Sequence, residues 1–364
     1  MSKKIPILAG DIGGTNSRLT LLKISANEDD EQELIENKYL LSFNFQNVYE
    51  LLTQFLKPYK GTPNYPRYAV FGVPGPIKNN TVLQFTNVIH WNSINGEELA
   101  KTMGIEKIVF LNDFVANGFG IQTKMKKDID YIIINDIPID ENGPKATLEP
   151  GTGLGVGYLT KKEGDKYYLV CGAEGSHSDI APINQQQFQY MLFLQKYYNV
   201  DHISTERATC GQAIIPIYKF LYKDQKANIS NYDGELFNEV KNFEGITNSD
   251  LQIQINNKIV SKGLNKECEL CEKTLNFFIE LYGQAAGNIF LMYLPSGGLY
   301  LLGGLSVAFQ DLIINTDIWK KAFKDKGRLS SVLENIPVIL IKVHDLGMRG
   351  STEYCRRLIE EAYK

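Results

Sequence analysis

The sequence predicts an α/β protein of two domains, each built of a sheet covered by helices. Three observations carry that expectation. Strand-like apolar runs alternate with amphipathic helical stretches along the chain. Its 364 residues exceed what one small core organises, and two domains of roughly 100–200 residues are the natural division. A glycine hairpin also stands early in each half, "PILAGDIGGTNSRLTLLKI" at 6–24 and "EPGTGLGVGYLT" at 149–160.

The elements follow in order. "IPILAG" and "SRLTLLKI" read as strands joined by the first glycine turn. The acidic run "NEDDEQELIEN" (27–37) reads as a solvated loop or hairpin tip. "NVYELLTQFLKPY" and "SINGEELAKTMG" read as helices, "RYAVFGVPG" and "KIVFLND" as strands. In the second half "KATLEPGTGLGVGYLTK", "KYYLVCGAEG", "GGLYLLGGLS" and "IPVILIKV" supply strands, and helices run from "NQQQFQYMLFLQKYY" onward. Segment 220–266 is rich in Asn, Lys and Asp and reads as surface helices and loops. Residues 281–310 carry no charge, but Pro295-Ser296-Gly297-Gly298 and Gly303-Gly304 interrupt them. A buried helix, a turn and a buried strand fit better than a membrane span.

Composition narrows the function. The formal net charge of −4 offers no basic excess to neutralise a nucleic acid or an anionic membrane. The N-terminus lacks the apolar core of a signal peptide, so a soluble, cytoplasmic protein is expected. Five cysteines, an odd number in a long chain, argue against a disulfide framework. Cys268 and Cys271 form one CxxC without a second Cys/His pair to complete a zinc site. They read as small, half-buried residues of a long helix.

Glycine turns have two readings. Gly, Asn, Ser and Thr are ordinary turn residues, and Gly takes positive φ cheaply. Backbone N–H groups of such a turn also converge on phosphate oxygens. Neither hairpin fits G-x-x-x-x-G-K-S/T or G-x-G-x-x-G, which disfavours a P-loop or a Rossmann cofactor domain. A third element, "LYLLGGLS" (299–306), ends a strand in two glycines before a helix, where anions and nucleotides settle. Three such elements favour nucleotide binding over turns alone.

Polar residues cluster at strand ends and loops. "KIVFLNDFVANG" puts Asn112 and Asp113 at the end of an apolar strand, where α/β proteins keep ligands; Asp113 would otherwise cap the next helix. "CGAEGSHSDIAP" brings Glu174 and His177, and "STERATCGQAI" brings Glu206. Carboxylates, amide and imidazole without an Arg cluster suit a neutral polyol rather than a phosphorylated one.

Together "GDIGGTNSRL", "FTNVIHW", "FLNDF", "GTGLGVGYL", "AEGSHSDIAP", "STER" and "LLGG" resemble, in this order, the bacterial-type glucokinase family. The tail "GMRGSTEYCRRLIEEAY" resembles its C-terminal helix, which returns to the first lobe. The resemblance implies a two-lobed sugar kinase/actin-like ATPase (ribonuclease H-like) fold, each lobe a mixed sheet flanked by helices. It implies a small domain of 1–112 plus 347–364 and a large one of 113–346. Asp113 is implied as catalytic base, with Asn87, Asn112, Glu174, His177 and Glu206 on the sugar hydroxyls. Asp11, Gly13, Gly14, Thr15, Asn16, Gly151, Thr152 and Gly153 are implied at the phosphates, and Gly303 and Gly304 near the nucleotide. Glucose, ATP, Mg²⁺ (at Asp11 through water) and a second copy of the chain as homodimer are the implied partners, without nucleic acid or membrane. Three positions depart from the pattern: Ser176 stands where glycine is usual, "CGQAI" (210–214) replaces an S-G-P-G-like stretch, and Glu149 precedes the second turn. The cysteine cluster of the related repressor/kinase branch is absent, so no zinc is carried over.

The expected reaction is phosphorylation of glucose to glucose 6-phosphate by Mg-ATP. Asp113 takes the hydroxyl proton, for which a carboxylate of ordinary pKa suffices, and sugar binding closes the lobes against water. A kinase of fructose, mannose or an amino sugar, a non-catalytic sugar-binding regulator, and a chaperone-like ATPase are the alternatives.

Overall fold

The first hairpin forms as its sequence implies. β1 (Ile5–Ile12) and β2 (Asn16–Ile24) pair antiparallel, in register from Ile5 with Ile24 to Ile12 with Ser17. This is a computed structural model that describes residues 3–14, 16–85, 90–225, 229–243 and 250–363. The chain continues through β3 (Glu33–Leu41), α1 (Val48–Leu56), β4 (Tyr68–Val73) and the short strands β5 (Ile77–Lys78), β6 (Thr81–Val82) and β7 (Ile94–Asn95). Then come α2 (Gly96–Met103), β8 (Lys107–Asn112), α3 (Asp113–Gly120), β9 (Tyr131–Asn135), β10 (Lys145–Pro150), β11 (Leu154–Thr160) and β12 (Leu169–Ala173). Helices α4 (Gln185–Tyr198), α5 (Thr205–Ala208), α6 (Ile214–Gln225), α7 (Gly234–Asn242), α8 (Asp250–Leu264) and α9 (Glu269–Tyr293) follow. The chain ends with β13 (Leu299–Leu301), α10 (Gly303–Ala308), α11 (Gln310–Asn315), α12 (Asp317–Lys324), α13 (Ser330–Glu334), β14 (Val338–Ile341) and α14 (Leu346–Ala362).

Two units result. The first comprises Met1–Met125, Val170–Gly172 and Val343–Lys364. Its sheet has the order β3-β2-β1-β4-β8, with β1, β4 and β8 parallel. β1 is apolar on both faces because helices cover both. On one face Leu8, Leu19, Ala69 and Phe71 meet Val48, Leu51, Leu52 and Phe55 of α1 and Leu99 of α2. Those four α1 positions follow helical spacing, and the Asn47 side chain caps the helix at Glu50 N–H, 2.9 Å. On the other face Ile7, Ala9, Val70 and Val109 meet Ala116 and Phe119 of α3 and Met348, Cys355 and Ile359 of α14. The two helices cross so closely that a methyl on Gly350 would stand 1.8 Å from the Ala116 carbonyl oxygen. Arg357 adds a hydrogen bond to Gln122 Oε1 at 2.8 Å.

The second unit comprises Lys126–Leu169 and Ala173–Lys342. Its strands β11-β10-β13-β14-β9 repeat the first plan: an antiparallel hairpin, β10 with β11, whose first strand runs parallel to the next two, β13 and β14. Residues Leu148, Val156, Leu301 and Leu340 pack against Tyr190 of α4, Phe278, Tyr282 and Phe290 of α9, and Trp319 and Phe323 of α12. α9 is buried along most of its 25 residues, as its uncharged stretch implies. Among the described residues, no helix is long and apolar enough to cross a membrane.

Three readings of the sequence change. The run 27–37 is a turn only to Gln32; Glu33 already begins β3, an edge strand paired on one side only whose charged side chains stand in solvent. Cys268 and Cys271 are fully buried rather than half-buried, and Cys268 is the N-cap of α9, its Sγ accepting the Cys271 N–H at 3.2 Å. The units part after Met125 and resume at Val343, where the sequence reading divided at 112/113 and 346/347. The packing of α3 on α14 holds α3 in the first unit.

Candidate active site

In the first unit the site is built on strand ends. β1 and β8 belong to the same parallel run, so Asp11 and Asp113 emerge at one edge of the sheet, on either side of Gly72 of β4. A methyl on Gly72 would stand 3.9 Å from both Asp11 Oδ1 and Asp113 Cα. A methyl on Gly347, at the start of α14, would stand 3.9 Å from Asp11 Oδ2 and 3.2 Å from Asn117 Oδ1.

Asn112 and Asp113 divide the labour that the sequence left undecided. Asn112 is the N-cap of α3, and its Oδ1 accepts the Phe114 N–H at 3.1 Å. Asp113 Oδ1 takes the same N–H at 3.0 Å, which orients the carboxyl. Burial pushes the Asp113 carboxyl up to about 6; the Phe114 N–H and Asn112 pull against that shift, and the Asp11 charge adds to it. This departs from the carboxylate of ordinary pKa that the sequence led us to expect. Asp11 stands open to solvent at its strand end, yet the protein packed around its carboxyl raises it above the ordinary range, against a downward pull from Arg18.

The first glycine turn is closed from within. Gly13 donates its N–H to the Asn16 carbonyl at 2.9 Å, so that donor serves the turn rather than a ligand. Ser42 Oγ donates to the Gly13 carbonyl at 2.7 Å and lies 2.9 Å from Ser17 Oγ. Gly14 and Asn16 flank the same turn at the mouth of β2. Thr15 and Asn87, expected at the phosphates and the sugar, lie outside the described residues.

In the second unit Glu174, His177 and Glu206 come together from two loops. His177 Nε2 lies 3.5 Å from Glu174 Oε2, and its Nδ1 lies 4.0 Å from Glu206 Oε1. A short turn over Gly175–His177 presents the first pair, and α5, capped by Ser204, presents Glu206. Ser176, the departure from the usual glycine, is buried beneath that turn. Two convergent carboxylates and an imidazole offer a set of groups able to accept hydrogen bonds from hydroxyls.

Glu206 also belongs to the second glycine turn. Its Oε2 accepts the Leu154 N–H at 3.0 Å, immediately after Gly151, Thr152 and Gly153. A methyl on Gly153 would stand 2.6 Å from that oxygen, so any side chain there makes the Glu206 carboxylate shift from its place. The turn is braced further, in part by Gly211 and Asn256, to which the sequence reading gave no role. Gly151 donates to the Gly153 carbonyl, and Gly211 donates to the Gly151 carbonyl, each at 2.8 Å. Asn256 of α8 donates to the Gly211 carbonyl at 2.8 Å. The departing stretch 210–214 is therefore the brace of the turn. No sequence signal marks Asn256 because its partner is a backbone carbonyl 45 residues away.

At the end of β13, Gly303 has φ +85° and opens α10; Gly304 faces open space, with nothing within 4 Å of its Cβ position. The Glu149 side chain packs at Gly303, where a methyl would stand 2.8 Å from Glu149 Cγ. Among the described residues no group of three or more His, Cys, Asp or Glu gathers to hold a metal ion.

A family model described as Glucokinase matches residues 8–358. A protein named Glucokinase from Trichormus variabilis is 34% identical over 353 residues, which cover 97% of this chain and 99% of that one. Another from Helicobacter acinonychis is 30% identical over 346 residues, covering 95% of this chain and 94% of that one. Among solved structures, a glucokinase from an Antarctic psychrotroph has a TM-score of 0.76 at 25% identity, covering 97% of this chain and 99% of that one. A glucokinase from Balamuthia mandrillaris, solved in complex with glucose, shares the fold at a TM-score of 0.70 and 19% identity, covering 97% of this chain and 94% of that one.

Proposed function

Because this chain belongs to the glucokinase family, we propose that it phosphorylates glucose with ATP as donor and uses Asp113 as the general base. The observation that carries the base assignment is the carboxyl of Asp113 at the end of β8, held by Phe114 N–H and lifted to about 6. At pH 7 a group of that pKa is ionised in about nine molecules of ten, and it is a stronger base than an ordinary aspartate.

In this reading the Asp113 carboxylate accepts the proton of the sugar's primary hydroxyl while that oxygen bonds to the γ-phosphorus of ATP. The bond from the phosphorus to the bridging oxygen breaks, and its electron pair leaves with ADP. Protein groups contribute alignment and charge stabilisation rather than covalent chemistry. Glu174, His177 and Glu206 take the remaining hydroxyls, and Asn112 fixes the helix that carries the base. The Gly151–Gly153 turn, Gly14, Gly303 and Gly304 supply close backbone approach for the donor. Asp11 fits a hydrated Mg²⁺, being an exposed, hard carboxylate beside the base. When bound, that ion would neutralise charge on the phosphoryl oxygens. Homodimer assembly and a cytoplasmic site of action belong to the same proposal and rest on the family resemblance.

The test is ADP release measured with glucose, fructose, mannose, N-acetylglucosamine and no sugar. The reading expects glucose to give the highest kcat/KM and release without sugar to be negligible. Sugar-independent hydrolysis at a comparable rate contradicts it.

A further inference from the structure

We propose that the first unit carries a second ligand site, separate from the Asp113 centre, that takes a phosphate monoester borne on a small hydroxylated carbon chain, with Arg18 as its anchor. A pocket of about 450 Å³ opens between the outer part of the β2–β3 hairpin and the first turns of α14, walled by Glu28, Gln32, Thr123 and Lys124. That volume is in the range of small-molecule sites. Four cationic side chains line it: Arg18, Lys124, Arg349 and Arg356.

Three of the four already face carboxylates. Lys124 pairs with Asp29, Arg356 with Glu353, and Arg349 Nε with Asp345 Oδ1 at 3.0 Å. Arg18 differs. Its Nε is buried and has no hydrogen-bond partner among the described residues. Its guanidinium lies over the Tyr39 ring, 5.1 Å from the centroid, which fixes the plane of the fork. Arg18 lines the pocket without an ion-pair partner among the described residues, so its guanidinium charge is left for an anionic ligand. The planar fork matches a phosphate or a carboxylate, and phosphate offers the larger number of oxygens.

The other lining groups refine the ligand. Glu28 and Asp345 also face the pocket and repel a polyphosphate tail, which leaves room for one phosphate group. Thr20, Asn37 and Thr352 supply neutral polar atoms suited to hydroxyls. Arg18 stands directly opposite Asp11 in the β1–β2 register, which fixes the strand position of the anchor.

Calorimetry tests the site on the full chain with the kinase centre saturated by glucose and a non-hydrolysable ATP analogue. Glucose 6-phosphate, glycerol 3-phosphate and inorganic phosphate are titrated in turn. The expected result is one sugar phosphate or glycerol phosphate bound per chain, at least tenfold tighter than inorganic phosphate. Arg18→Met and the pocket-filling Thr20→Trp each weaken it at least tenfold, while Arg18→Lys, which keeps the charge, retains part of the affinity and reports that the unit still folds. Absence of binding, equal affinity for inorganic phosphate, or binding indifferent to both Arg18→Met and Thr20→Trp overturns the proposal. Because the readout is heat of binding at a blocked kinase centre, it is independent of the assignment of Asp113.

Discussion

Glu206 Oε2 accepts the backbone N–H of Leu154 at 3.0 Å, while its Oε1 faces His177 Nδ1 at 4.0 Å. One carboxylate thus joins the Glu174–His177 cluster to the second glycine turn. Glu206→Ala leaves the Leu154 N–H without its acceptor, at a cost of about 1–3 kcal/mol if the group stays dry. We expect KM to rise for both glucose and ATP. Glu206→Gln keeps an acceptor for the N–H, so its defect should be confined mainly to glucose. Steady-state kinetics with each substrate varied in turn checks the split; equal effects of the two variants on KM for ATP would show that the turn does not depend on this bond.

Asn256 should matter for the donor although it touches no expected substrate. It holds Gly211, which holds Gly151. A single such bond is worth about 0.5–1.5 kcal/mol, so Asn256→Ala should raise KM for ATP roughly two- to tenfold. The KM for glucose should change less. An unchanged KM for ATP in a variant whose thermal unfolding is normal refutes the brace.

The two strand-end glycines separate steric from ligand effects. Gly153→Ala puts a methyl 2.6 Å from Glu206 Oε2, so it should displace that carboxylate and lower activity more than stability. Gly304→Ala meets no atom within 4 Å and should leave thermal stability unchanged. If a nucleotide lies against Gly304, the same substitution raises KM for ATP severalfold. Paired melting curves and kinetics on the two variants distinguish these outcomes.

Asp113 should cost the fold stability at neutral pH. Burial raises its folded pKa from 3.8 to about 6, so the native state holds the proton more tightly than the unfolded chain. The associated stability is present below about pH 3.8 and is lost as pH rises through about 6. A shift of about two units corresponds to about 3 kcal/mol, and partial exposure reduces this to on the order of 1–2 kcal/mol. Asp113→Asn should therefore be more stable than the parent at pH 8, with the advantage shrinking toward pH 5. Urea unfolding at the two pH values measures the difference, and an advantage that grows toward acid pH has the wrong sign for this account.

Much of this architecture was legible because its signals are local. β1 is a continuous apolar run, α1 repeats apolar residues at helical spacing, and both hairpins announce themselves by glycine. β3 was hidden because an edge strand that is largely exposed shows no clear alternation; its Glu33 pairs with Lys23 in solvent, and Glu36 accepts from Tyr59 at the half-buried side. β9 was missed because five residues at the far edge of a sheet, bounded by acidic loops, gain their partner from β14 some 200 positions later. The acids and the histidine of the candidate site were readable as residue types at strand ends. Their alignment was not, because backbone groups set it: Phe114 N–H for Asp113, Leu154 N–H for Glu206, and the Gly211 carbonyl for Asn256.

The most direct measurement is the turnover of Asp113→Asn, with glucose affinity determined separately by calorimetry. The account predicts that kcat falls by about 10²–10⁴ while glucose binding changes only a few-fold, and that the parent's kcat/KM declines below a midpoint near pH 6. A variant that turns over at close to the parental rate, or a parent whose activity does not fall in acid, would contradict the assignment of this carboxylate as the base.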